Sequence, residues 1–214
     1  MQKYKVKITG QRALLMHNSQ LADPLHPTVR RIKQLTAKGQ SRLSDEEHHE
    51  LAELEFFGGL YLCSTGPCLL EEQILAGMRD SATAVKRGLK SAIIGGVTIE
   101  DDEIPVIYKG PRVADELWVA TDKQGKKKFV DRRIVNLNPN SAKISRGPRT
   151  RPRFDPPWSA EFTVLVADDL GIGLNEMKKL FAVFGAMHGI GDGRKVGFGR
   201  FTSTVKKVTA RKAA

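Results

Sequence analysis

The stretch that most restricts the fold is GIGDGRKVGFGRF, residues 189–201, which holds five glycines beside Arg194, Lys195 and Arg200. Before it, Leu174, Met177, Phe181 and Phe184 recur at spacings of three and four with Leu180 beside them, the apolar face of a helix. After it, Phe198 to Val208 reads as a strand. The order helix, glycine loop, strand is therefore fixed. A helix C-cap uses one or two glycines, because a residue without Cβ enters the left-handed region freely. It does not account for five with three cations among them. A dinucleotide-binding loop follows a strand and opens a helix, so that its phosphate sits on the helix N-terminus; here the order is reversed. No GxxxxGK[ST] occurs, which excludes a P-loop. The remaining reading is that Gly191, Gly193, Gly197 and Gly199 bring backbone against a sugar-phosphate chain that Arg194, Lys195 and Arg200 neutralise.

Charge supports an anionic partner. Lys and Arg number 35 against 24 Asp and Glu, a net charge of +11. Between Lys123 and Arg153 eleven basic residues face a single acid, Asp131, so this segment carries +10 of that excess. A dense block of one sign repels itself in isolation and is the electrostatic footprint of phosphate contacts. Apolar residues interleave with it at Phe129-Val130 and Ile134-Val135, as in a projecting hairpin, and Pro139, Pro148, Pro152, Pro156 and Pro157 stiffen its return. Residues 121–157 thus read as an arm that orders against a polyanion. Lys126, Lys127, Lys128, Arg132, Arg133, Arg149, Arg151 and Arg153 are its expected phosphate contacts. Phe129 and Phe154, inside the arm, are candidates to stack on unpaired bases; Trp158 and Phe201 read as core.

Elsewhere the patterns are structural. Tyr4, Val6 and Ile8 alternate with lysines in a half-buried strand ended by Gly10. Ala13 to Met16 leads into a polar loop, His17 to Pro27. A short basic helix over 28–38 stops at Gly39, and a second starts at Ser44, with Glu47 completing a capping box. Its acids, Glu55 among them, read as a solvated face favoured by the helix dipole. Leu60 to Cys63 reads as a strand. Leu70, Ile74, Met78, Ala82 and Val85 line a core-facing helix over 69–86. Residues 97–108 read as a β-hairpin around the acidic turn 100–103, and 117–120 as a further strand.

Little points to catalysis or to a bound cofactor. Cys63 and Cys68 lack two further ligands for a metal, and the five histidines form no ligand pattern. No cofactor and no metal are expected. The loop after the first strand offers His17, Asp23 and His26 for acid/base chemistry, but Asp23-Pro24 is sufficiently explained as a turn. Neither a signal peptide nor an apolar run of membrane-spanning length is present, so a cytoplasmic location without membrane contact is expected.

The C-terminal helix, the basic glycine-rich loop ending in GFGRF and the final strand resemble the signature of the RAMP superfamily, the repeat-associated RNA-binding proteins of CRISPR systems. The entry strand running into Gly10 and Ala13-Leu14-Leu15-Met16-His17 resembles that of the superfamily's backbone subunits. The chain is also similar to uncharacterised phage and prophage proteins. The resemblance covers about residues 3–18 and 160–206. It implies an α+β fold: a ferredoxin-like (RRM-like) antiparallel sheet core in a single domain over 1–214, a helical insertion at 19–57 and a thumb-like basic β-arm at 112–157. The residues read as those of a non-catalytic protein that binds single-stranded nucleic acid, RNA in preference to DNA, although some RAMP proteins cut RNA; the resemblance implies assembly side by side along the strand, with itself as a filament or with other protein subunits. Two alternatives stay open: a CRISPR-subunit-like interaction protein with an anti-defence role, and a metal-dependent ribonuclease using Asp23.

Overall fold

The structure, a computed structural model, describes residues 1–39, 42–137 and 146–208. In chain order its strands are β1 (Gln2–Gly10), β2 (Leu14–Leu15), β3 (Leu62–Cys63), β4 (Gly66–Leu70), β5 (Val97–Ile99), β6 (Glu103–Pro105), β7 (Val130–Asn136), β8 (Arg146–Phe154), β9 (Ser159–Val166) and β10 (Phe201–Val208). Its helices are α1 (Pro27–Ala37), α2 (Asp45–Gly59), α3 (Glu71–Val85), α4 (Leu89–Gly96), α5 (Ala114–Val119) and α6 (Leu174–Val183). The chain divides into two compact units, one of residues 1–14, 62–109 and 154–214, the other of 15–61 and 110–153.

The first unit is built on a four-stranded sheet in the order β10-β1-β9-β5, antiparallel throughout. With α3 between β1 and β5, and α6 between β9 and β10, it is the βαββαβ ferredoxin-like arrangement. Strict alternation makes β1 a central strand. Tyr4, Val6 and Ile8 are at most 2% exposed and meet Val164, Phe162 and Ala160 across β9. Slipping that register by one residue would bury the lysines instead. The expected stripes close the core: Ile74, Met78 and Ala82 of α3 and Met177, Leu180 and Phe181 of α6 are fully buried. Each large apolar side chain so placed contributes about 1.5–3 kcal/mol. Helix α6 runs on into a single π-turn, Phe184–His188, which ends at Gly189 with φ +71°.

Three local expectations are corrected. The hairpin over 97–108 does not form: β5 joins β9, while β6 pairs with β4 in a separate three-stranded sheet, β3-β4-β6. Gly66–Leu70 is a strand, so α3 begins at Glu71. Residues 117–120 are not a strand; the helix α5 carries the buried Leu117 and Trp118, a segment too short for periodicity to decide.

The second unit, residues 15–61 and 110–153, combines α1, α2 and α5 with the β7–β8 hairpin. Helix α2 has the expected capping box: Ser44 Oγ accepts the Glu47 amide at 3.3 Å and Glu47 Oε2 accepts the Ser44 amide at 3.1 Å. Phe56, 0% exposed, packs against the Trp118 ring at 5.1 Å. Strand β8 is held from the entry loop, where Met16 N–H donates to the Pro152 carbonyl at 3.0 Å.

Candidate nucleic-acid interface

All five glycines of the loop have positive φ: Gly189 +71°, Gly191 +80°, Gly193 +68°, Gly197 +90° and Gly199 +66°. Two of them are there for the loop's own packing. A Cβ on Gly199 would stand 1.7 Å from the Ile190 carbonyl oxygen, and one on Gly189 would stand 2.7 Å from that of Phe198. The two ends of the loop lie backbone to backbone, with Ile190 N–H donating to Gly199 O at 3.0 Å and Gly199 N–H to Ala13 O at 2.8 Å. Gly197 differs, because a Cβ there meets nothing within 4 Å. The loop closes on itself through Gly189 and Gly199, and Gly197 stands open.

Its cations sit around that closure. Lys195 is exposed on a single 3-10 turn, Arg194–Val196. Arg194 Nη1 lies 3.3 Å from Asp80 Oδ2, both about half exposed, so water screens the pair and it holds the side chain only loosely. Arg200 is half-buried, and its carbonyl accepts the Gln11 and Arg12 amides at 2.7 and 3.2 Å.

In the other unit, β7 and β8 pair with Asp131 opposite Arg151 and Arg133 opposite Arg149. The two-residue repeat of a strand therefore collects Asp131, Arg133, Arg149, Arg151 and Arg153 on one face. Asp131, 5% exposed, organises them. It takes a fork from Arg133, with Nε to Oδ2 at 2.7 Å and Nη2 to Oδ1, and it pairs with Arg153 Nη1 at 3.4 Å. Glu55 of α2 serves the next position: its Oε2 accepts the Thr150 amide at 2.7 Å and its Oε1 lies 3.6 Å from Arg149 Nε. Burial pushes the Glu55 carboxyl above its ordinary pKa, opposed by the Thr150 amide and by Arg149. Four arginines thus share a face with one aspartate and border one glutamate. Arg133 directly opposite Arg149 is a like-charge pair, unfavourable by roughly 0.2–1 kcal/mol when nothing lies between.

The remaining basic candidates are less uniform than their clustering suggests. Lys126, Lys128 and Arg132 are exposed. Lys127 Nζ sits 3.1 Å over the Trp118 ring, and burial lowers its pKa. Pro139 and Lys143 lie outside the described residues.

The stacking assignment is corrected. Phe154 is 0% exposed, edge-on to Tyr108 at 4.8 Å, and Phe129 is 4% exposed, so neither ring offers a face to a base. Placing aromatics within a basic segment does not place them at its surface: Phe129 precedes β7 and turns inward. The reading of Glu55 as solvated is also corrected, since its side chain is 13% exposed. A sequence signal existed, because Glu55 lies four residues after the buried Leu51 on the same helical face. Asp23 is exposed, and its Oδ1 accepts the Leu25 amide at 2.8 Å, the turn geometry that Asp-Pro favours. His17 is half-buried and lines a small cavity of about 130 Å³ with Glu55, Arg149 and Thr150. Cys63 and Cys68 are free thiols, and burial pushes Cys68 up to about 12. Among the described residues no helix is long and apolar enough to cross a membrane.

No protein-family model matches the chain, and no curated protein matches it in sequence. Solved structures do resemble it. A chain of a Type III-B Cmr-beta assembly bound to cognate target RNA superposes with a TM-score of 0.51 at 14% identity, over 97% of this chain and 60% of that one. This chain therefore spans about 60% of the length of that relative. A chain of a Type IV-B CRISPR complex gives a TM-score of 0.48 at 10% identity, over 99% of this chain and 93% of that one. Oligomeric Cmr4 from Pyrococcus furiosus gives 0.38 at 11%, over 98% and 100%. At such identities the likeness speaks for architecture alone, and at that level the resemblance read from the two ends of the sequence holds: the fold is like that of the chain from the Cmr-beta assembly.

Proposed function

We propose that this protein binds single-stranded RNA without cleaving it, as a subunit of a ribonucleoprotein assembly or as a self-assembling filament. The observation that carries the proposal is the arginine face of the β7–β8 hairpin. There Asp131 and Glu55 hold the guanidinium groups of Arg133, Arg153 and Arg149 together on one face. A phosphate placed between Arg133 and Arg149 would relieve their opposition and take charge-assisted hydrogen bonds from both. Arg194, Lys195 and Arg200, around the open Gly197, supply a second set of cations in the other unit. RNA is favoured over DNA by analogy of fold, since the structural relative with a TM-score of 0.51 belongs to an assembly solved bound to cognate target RNA.

The test is a titration of labelled single-stranded RNA and DNA of equal length at two salt concentrations. The log of the affinity of a single-strand binder falls by about 0.7 per phosphate contact per log unit of salt. Four arginine contacts then imply a loss of roughly 50-fold between about 50 and about 200 mM salt. Arg133→Ala with Arg149→Ala should lower the slope by about 1.4, two contacts at about 0.7 each, and Arg194→Ala/Lys195→Ala/Arg200→Ala should weaken binding further. Salt-independent binding, or binding indifferent to both sets, would refute the reading.

A further inference from the structure

The face of the four-stranded sheet opposite α3 and α6 carries a charge arrangement that strand binding by the arm and the glycine loop does not use. Lys3, Lys5 and Lys7 of β1 all point to it. Two of them are neutralised within the sheet: Lys3 pairs with Glu100 at 2.5 Å and Lys7 with Glu161 at 2.8 Å. Lys5 is not. Its cross-strand neighbour on β10 is Lys206, and on β9 it is Thr163. Among the described residues neither Lys5 nor Lys206 has an acid within salt-bridging distance, and both are exposed. Two ammonium groups directly opposite on antiparallel strands repel, and on this face Lys3 and Lys7 are each matched to an acid while the Lys5–Lys206 pair is not. The row floors a groove of about 560 Å³ that Thr163, Thr204, Asp101 and Glu161 also line. Asp101 Oδ2 is occupied by the Thr163 amide at 2.9 Å, which fixes it at the rim.

We propose that this groove binds a terminal phosphate, the dianionic phosphate of a mononucleotide or of a phosphorylated oligonucleotide end. Two opposed lysines match the double charge of a monoester, and the Thr163 and Thr204 hydroxyls can donate to its oxygens. A continuous strand fits less well. It would have to pass the carboxylates of Glu161, Asp101 and Glu100, and the residues that the register places on this face include no aromatic ring on which bases could stack. Nor does the proposal depend on the RNA-binding reading, since free phosphate and free nucleotide should occupy the site by themselves.

Thermal unfolding of the full chain tests it, with inorganic phosphate and AMP as probes and chloride at matched ionic strength as control. At a tenfold excess over the dissociation constant a single site should raise the midpoint by about 3–6 °C. Lys206→Glu should abolish the shift while leaving the unliganded midpoint equal or higher, because it turns a repulsive pair into an attractive one. A misfolded variant would show the opposite. Lys3→Ala, which removes a lysine paired with Glu100 outside the groove lining, should keep the shift. In a second arm, a 5′-phosphorylated oligoribonucleotide should compete with AMP at least tenfold better than its 5′-hydroxyl twin. The proposal is overturned by no shift in wild type, by an equal shift in Lys206→Glu, by loss of the shift in Lys3→Ala, or by equal competition from the two oligonucleotides. The last result would make the groove a phosphodiester path. Failure of strand binding by the arginine face would leave the phosphate and AMP results unchanged, so the two readings fail separately.

Discussion

Replacing Gly199 and Gly197 by alanine separates glycines that the fold needs from one that a ligand could use. Both have positive φ, +66° and +90°, so alanine at either place carries the left-handed penalty of about 1–2 kcal/mol, offset by about 0.4–1 kcal/mol from the stiffer unfolded chain. Only Gly199 has a steric term. Its new Cβ would lie 1.7 Å from the Ile190 carbonyl oxygen, with Ile190 C at 2.8 Å and N at 2.9 Å, all backbone and none able to swing away. Moving that segment breaks the Ile190-to-Gly199 hydrogen bond at 3.0 Å and strains the one from Gly199 to Ala13 at 2.8 Å, each worth about 1 kcal/mol. The sum is about 3–4 kcal/mol for Gly199→Ala against about 1 kcal/mol for Gly197→Ala. For a chain of this size that is a fall in midpoint of about 10 °C against about 3 °C.

The assay is equilibrium urea unfolding followed by far-UV circular dichroism, with RNA titration of whichever variant stays folded. Gly197→Ala should fold, and if the loop approaches a strand through its open glycine, its RNA affinity should fall several-fold more than its stability explains. Equal, small stability losses at 197 and 199 would refute the account of the loop as closed on itself.

Further predictions rest on single contacts. Gly77→Ala sets helix propensity, favouring alanine by about 1 kcal/mol, against a Cβ only 2.0 Å from Cζ of the fully buried Phe184. Overpacking should win, giving a net loss of about 1–2 kcal/mol in urea unfolding. Lys127→Ala should lower stability by about 0.5–2 kcal/mol through loss of the Trp118 contact at 3.1 Å, yet lower RNA affinity less than Lys126→Ala or Lys128→Ala. Glu55 sets a pH dependence. Its folded pKa is raised above the ordinary 4.5 by burial, so the native state holds the proton more tightly and stability is lost as pH rises from 4.5 through the folded value. Glu55→Gln should remove that fall, so the advantage of the variant grows with pH over the same window, measured as urea midpoints from pH 4 to 8.

What the sequence reveals and what it hides divide along chain distance. Strand β1, the stripe of α3 and the cap of α2 follow from residues within a few positions of each other, and each is legible for that reason. The pairing of β5 is not, since Val97 meets Val166 and Ile99 meets Val164 across a long gap, while the nearer β6 goes to Cys68 and Leu69. A local pattern states that a strand exists without naming its neighbour. The glycine loop hides its reason in the same way: the acceptor for Gly199 N–H is the carbonyl of Ala13, at the other end of the chain. Glu55 looks solvated beside its acidic neighbours because its hydrogen-bond donor, Thr150, is 95 residues away.

The β7–β8 hairpin shows how a self-repelling segment can be ordered by acids of its own unit. Eleven cations against one acid would be expected to fray. That single acid, however, is placed on the hairpin face where it engages Arg133 and Arg153, and α2 adds Glu55 beside Arg149. Arginines held this way lose less side-chain freedom on meeting a phosphate than free ones do, a saving of about 0.5–1.5 kcal/mol for each immobilised side chain. Exposed Lys126, Lys128 and Arg132 have no such advantage and contribute mainly charge, which salt screens. The two groups should therefore separate experimentally. Truncating an anchored arginine should weaken binding even at high salt, whereas truncating an exposed lysine should matter at low salt and fade as salt rises.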